Sequence, residues 1–170
     1  CWTVEGLKRL SKHHETGATL PRDLLDKMLD AKNVNVGLNM ARQIYLSTLD
    51  LEIHGANPPT TAEGLQALVD WLRPEISLIE NPEGANMLRS FGHLMNQYSA
   101  AYYGYLWAEV LSADMFAQCF EKDPFDAKAG KRYRDLVLAP GGVGKILDHL
   151  TTFLGRPPSQ EAFLKSRGIA

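Results

Sequence analysis

Cysteine is scarce: only Cys1 and Cys119 occur in 170 residues. A pair so far apart makes no disulfide framework, which points to a reducing, cytoplasmic setting. No apolar run approaches the roughly 18 residues that a membrane span needs, and no signal-peptide pattern is visible. Charge of one sign is also lacking: Lys and Arg total 18 against 20 Asp and Glu, without basic clusters. That excludes a nucleic-acid footprint. H-E-x-x-H, C-x-x-C, G-x-S-x-G and a Walker A loop are all absent. His14-Glu15 opens like the first of these, but Ala18 stands where the second His belongs. His13, His14, His54, His93 and His149 are scattered, so no metal site is expected from this chain.

What is present suits a packed core: 45% hydrophobic and 22% charged residues. The chain opens Cys1-Trp2-Thr3-Val4 without Met, and Val4, Leu7 and Leu10 already recur at helical spacing. The expectation is a fragment or a processed product.

The pattern reads as helices throughout. The first covers residues 2 to about 15 and stops at Gly17. Pro21 suits the first turn of a second, which runs through Leu24, Leu25, Met28 and Leu29 to about Asn33. A third spans about Asn35 to Ile53. After the turn 55–59, Thr60 and Glu63 form a capping box for a helix limited by Pro74. Residues 81–90 read as a loop and 99–121 as a long helix. Helices over 126–138, 143–154 and 159–167 complete the chain, with Pro140-Gly141-Gly142 as a break and Gly168 as a C-cap. No repeat or clear domain boundary appears, so residues 1–170 form one all-α portion.

Four of the six tyrosines, Tyr98, Tyr102, Tyr103 and Tyr105, lie within eight residues. Tyr98, Tyr102 and Tyr105 are spaced i, i+4 and i+7, so a helix would put them on one face, with His93 just before them. Such a row of O–H donors suits a developing oxyanion. It equally suits a core, because buried tyrosines often send the hydroxyl to the surface. His13 and His14, beside Lys12 and Glu15 at a helix end, read as surface or cap residues.

Phe91-Gly92-His93-Leu94, then Tyr98, then Tyr102-Tyr103-Gly104-Tyr105-Leu106-Trp107 resembles the substrate-binding segment of the thimet oligopeptidase and neurolysin family of zinc peptidases. Ser11 to Gly17 with Leu20-Pro21 and Leu24-Leu25 resembles that family's helix-turn after its third zinc ligand. Arg42-Gln43, Pro140-Gly141-Gly142, Phe153-Leu154-Gly155-Arg156 and Phe163-Leu164 also match, in order along the whole chain.

The resemblance implies an all-α, C-terminal part of a zincin-type metalloendopeptidase, forming one wall of a deep cleft for short peptides. It implies that the zinc ligands and the general-base Glu lie upstream of Cys1, so that this chain alone is inactive. It implies catalytic roles for Tyr105 and Tyr98 at the scissile carbonyl, substrate contacts from His93 and Tyr102, and packing roles for Tyr103 and Trp107. The implied partners are peptides and the remainder of the catalytic domain. Surface uncovered by its absence would favour self-association. One departure is that Asn96 and Gln97 occupy positions where the family has a glycine pair. The rival readings are a non-enzymatic helical module whose tyrosine face docks a peptide, and a helical-bundle enzyme with its own metal site.

Overall fold

The computed structural model describes residues 2–169. Among them, every regular element is helical: α1 (Val4–Leu10), α2 (Arg22–Ala31), α3 (Val36–Ile53), α4 (Ala62–Ser77), α5 (Gly104–Cys119), α6 (Ala127–Tyr133), α7 (Ile146–Leu154) and α8 (Glu161–Ser166). Short 3₁₀ turns occupy Met87–Arg89 and Gly92–Met95, and α6 runs on into a π-turn at Arg134–Leu138. The all-α expectation holds.

Several boundaries differ from the sequence reading, each for a local reason. The first helix ends at Leu10, not near residue 15. Ser11 turns extended, at φ −88° and ψ 131°, and its Oγ accepts the backbone N–H of Leu20 at 3.2 Å. That tie pulls the chain off the helix axis. At α4 the cap is Thr61 rather than Thr60, because Thr61 Oγ1 takes the Gly64 N–H at 3.1 Å. Pro74 lies inside α4 instead of limiting it. An interior proline costs about 3 kcal/mol; burial of Val69 and Leu72 before it and Ser77 after it keeps the helix going. The predicted helix over 99–121 starts only at Gly104, which leaves Tyr98 and Tyr102 in a run of turns. Gly168 follows α8 at φ +70°, a left-handed position suited to glycine.

Backbone contacts divide the chain into two compact units, with boundaries between Val34 and Asn35, just before α3, and between Glu109 and Val110, inside α5. One is the described part of Cys1–Val34 with that of Val110–Ala170. Its buried side chains include Leu25, Ala129, Leu150, Phe153 and Leu154. Phe120, Tyr133 and Phe153 pack ring against ring at 5.8–6.4 Å. Asp114, 2% exposed, is held by Arg156 through two bonds, of 2.6 and 2.9 Å, and by the Ser159 N–H at 2.7 Å. The Arg156 guanidinium keeps the Asp114 carboxyl below its ordinary range.

The other unit is Asn35–Glu109. Its core joins Tyr45, Leu46 and Leu49 of α3 to Val69 and Leu72 of α4, and closes with Phe91, Leu94 and Tyr102. Tyr45, Leu46 and Leu49, at i, i+1 and i+4, share one side of α3, as a helix facing a helix requires. This core positions the tyrosines.

Candidate functional site

Phe91 and Leu94, three residues apart, share one side of the tight Phe91–Met95 turn and are both buried. His93, between them, is left exposed. Its ring lies 5.5 Å from Tyr98, 5.4 Å from Tyr102 and 6.0 Å from Tyr105. Tyr98 and Tyr105 are each 41% exposed and stack at 5.1 Å with planes 19° apart. Tyr102, 5% exposed, lies beneath them against Phe91 at 5.2 Å and Tyr105 at 5.0 Å. The structure thus brings His93, Tyr98, Tyr102 and Tyr105 together. Tyr102 is the floor of the face, and Tyr98, Tyr105 and His93 are its accessible part. Tyr103 and Trp107, expected to pack, are 47% and 56% exposed among the described residues.

The near-parallel Tyr98 and Tyr105 rings set their hydroxyls side by side. A hydrogen bond to Tyr98 is the main reason the Tyr105 phenol is pushed up to about 12, with burial and the neighbouring phenols adding to it. Tyr105 therefore stays protonated well above neutral pH and remains a donor.

A continuous helix does not place these rings. Tyr98 to Tyr103 form consecutive turns: Ala101 N–H donates to Tyr98 O at 2.9 Å and Gly104 N–H to Ala101 O at 3.0 Å. Ala100 sits at φ +58°, a left-handed conformation that costs a non-glycine residue about 1–2 kcal/mol. Asp50, in the last turn of α3 and 0% exposed, holds the segment in this shape. Its Oδ1 accepts the Ala100 N–H and its Oδ2 accepts the Tyr102 N–H, both at 2.9 Å. His54, one turn along α3, bonds Ser99 Oγ through Nε2 at 2.7 Å. Sequence reading passed over Asp50, His54 and Ser99. The available signal was slight: an acidic residue set between Leu49 and Leu51.

The described residues hold one close group of metal-ligand types, His13, His14 and Glu15, all exposed. It does not fit a peptidase metal. His13 Nδ1 already accepts the N–H groups of Glu15 and Thr16 at 3.3 and 3.2 Å, and the two imidazoles stack at 4.9 Å instead of converging. These histidines are surface turn residues, as expected. A hollow of about 510 Å³ in the Asn35–Glu109 unit is lined by Gln66, Asp70, Glu80, Asn81 and Arg89, not by the tyrosines.

The site is an aromatic, hydroxyl-bearing face on a helical scaffold, held by hydrogen bonds from α3. Residues 1–169 match the model of Peptidase family M3, and the chain belongs to that family. It is 44% identical over 177 residues to saccharolysin of Saccharomyces cerevisiae, covering 99% of this chain and 24% of the relative. It is 36% identical over 171 residues to a thimet-like oligopeptidase of Dictyostelium discoideum, covering 99% and 25%. With the chloroplastic/mitochondrial organellar oligopeptidase A of Arabidopsis thaliana it shares 34% over 174 residues, covering 99% and 22%. The chain thus spans about a quarter of the length of the curated relatives it matches.

Proposed function

We propose that these residues form one wall of the substrate cleft of a zinc-dependent metalloendopeptidase that hydrolyses short peptides. Membership of an oligopeptidase-rich family supports the reaction class. The observation that carries the residue roles is the Tyr98–Tyr105 pair, two accessible phenols whose rings stack at 5.1 Å beside His93. Each exposed phenol keeps an O–H that can turn outward, Tyr98 and Tyr105 alike. That gives a donor for the scissile carbonyl, whose interaction strengthens as negative charge develops on the oxygen. His93 contacts the bound peptide from the adjoining turn, and Tyr102 sets the level of the floor.

The zinc is bound by residues outside these 170, and the chain alone is inactive. Exposed Trp71, Leu78 and Trp107 are the surface that the remainder of the catalytic domain covers, and without that cover the chain self-associates. No helix among the described residues is long and apolar enough to cross a membrane. With two distant cysteines, that supports a cytoplasmic enzyme, which cell fractionation tests.

The test of the tyrosine roles is Tyr105→Phe in the full-length enzyme, assayed on a short fluorogenic peptide. Loss of one oxyanion donor predicts a fall in kcat of about 10²–10³-fold with KM little altered. An unchanged kcat removes Tyr105 from the mechanism. Tight peptide binding without turnover in the parent enzyme would instead favour a binding module.

A further inference from the structure

Asp50, His54 and Ser99 form a connected chain of hydrogen bonds that the proposed chemistry does not use. His54 Nδ1 faces two acceptors, the Asp50 carbonyl oxygen at 2.8 Å and Asp50 Oδ1 at 3.1 Å. A ring nitrogen between two acceptors carries the proton, which fixes the tautomer. Nε2 of the neutral ring is then an acceptor, and the Ser99 hydroxyl at 2.7 Å donates to it.

The order Ser, His, Asp resembles a nucleophile and its base, but the surroundings argue against that use. An acyl-transfer serine needs free N–H donors for the oxyanion. Here the Ser99 N–H is taken by Asn96 O, the Ala100 N–H by Asp50, and the Ala101 N–H by Tyr98 O. Both Asp50 oxygens are likewise committed to Ala100 and Tyr102 N–H groups. Beyond the links between Asp50 and His54 themselves, the bonds of the network end on residues 99–102.

We propose that Asp50, His54 and Ser99 are positioning residues, a clamp that fixes the Tyr98–Tyr102 segment so that the Tyr98 and Tyr105 rings stay stacked. Asp50 fixes two backbone N–H groups of the segment, and His54 fixes the side chain between Tyr98 and Ala100. The clamp also offsets the left-handed backbone of Ala100, whose N–H it holds. With Asn96 and Gln97 rather than glycines before Tyr98, the segment is stiffened from both ends. The catalytic part of this inference rests on the proposed role of Tyr98 and Tyr105; the structural part does not.

The test uses the full-length, metal-loaded enzyme with His54→Gln, Ser99→Ala and Asp50→Asn, and reads amide hydrogen exchange alongside kcat and KM. Asparagine at position 50 turns an N–H₂ towards one of the two N–H donors, so that bond is lost. The expected result is exchange at Ala100 and Tyr102 faster by about ten- to a hundred-fold in Asp50→Asn, as for a lost bond to a charged acceptor. Smaller increases are expected in Ser99→Ala and His54→Gln. In all three, kcat falls with KM nearly constant, and Ser99→Thr, which keeps the hydroxyl, restores slow exchange. Should Asp50→Asn fail to fold, the other two carry the test. Exchange unchanged at Ala100 and Tyr102 in folded variants overturns the clamp. Faster exchange with undiminished kcat supports the clamp and overturns the catalytic role of the tyrosines instead.

Discussion

Tyr98→Phe removes one oxygen atom and should be read out at another residue. The Tyr105 phenol titrates near about 12 against an ordinary 10.0, and the hydrogen bond to Tyr98 is the largest cause. Coulombic repulsion from the Tyr98 phenolate is a further cause, and it vanishes with the same hydroxyl. What remains is partial burial and the influence of Tyr102, so most of the rise of about two units should disappear. At pH 10.5, a group titrating near 12 is about 3% ionised, and one near 10 is about 75% ionised. The assay is the ultraviolet phenolate signal, taken as the difference between each protein and its own Tyr105→Phe counterpart, so that the other tyrosines cancel. The parent should show almost no signal from Tyr105 at that pH, and Tyr98→Phe most of it. Because ionisation destroys the donor, the alkaline limb of kcat should move to lower pH in the same variant. Continued protonation of Tyr105 at pH 10.5 in Tyr98→Phe would refute the pairing of the two hydroxyls.

Arg156→Leu leaves Asp114 buried with only the Ser159 N–H. Breaking a buried pair costs about 3–5 kcal/mol, but Arg156 is 39% exposed, so about 2–3 kcal/mol is expected in urea unfolding. The Asp114 pKa is depressed in the folded protein, so the pair contributes stability above the ordinary carboxylate value that is lost as pH falls through the folded one. The deficit of Arg156→Leu should therefore be largest near neutrality and shrink in acid; a deficit independent of pH would contradict this. Leu49→Ala empties a position of 0% exposure between α3 and α4 and should cost about 2–5 kcal/mol in the same assay.

The tyrosine face was legible in the sequence as a set of residues, but the reason for their proximity was not. Spacing i, i+4, i+7 suggested a helix, whereas Tyr98 and Tyr102 lie in turns and converge with Tyr105 because Asp50 holds the backbone between them. A bond between residues fifty apart leaves no periodic trace, so Asp50 read as one more polar position on α3. Local rules served well where the competition was local. Gly168 followed the last helix as expected, while the Thr60–Glu63 spacing pointed one residue too early and the backbone put the cap at Thr61. Pro74 misled because tertiary burial outweighed its intrinsic cost. The two compact units were invisible because one of their boundaries falls inside an unbroken helix and the other in a short turn before α3.

The bond from Asp50 to Ala100 and Tyr102 also sets an order of assembly. Bringing together positions 50 and 52 residues apart costs loop entropy that the carboxylate cannot meet alone. The α3–α4 packing must come first, because it buries Asp50 and gives its oxygens a fixed direction. The tyrosine face is thus expected to be the last part of its unit to mature and the first to dissolve, and a chain can regain its helices while still being unable to hold its phenols in place.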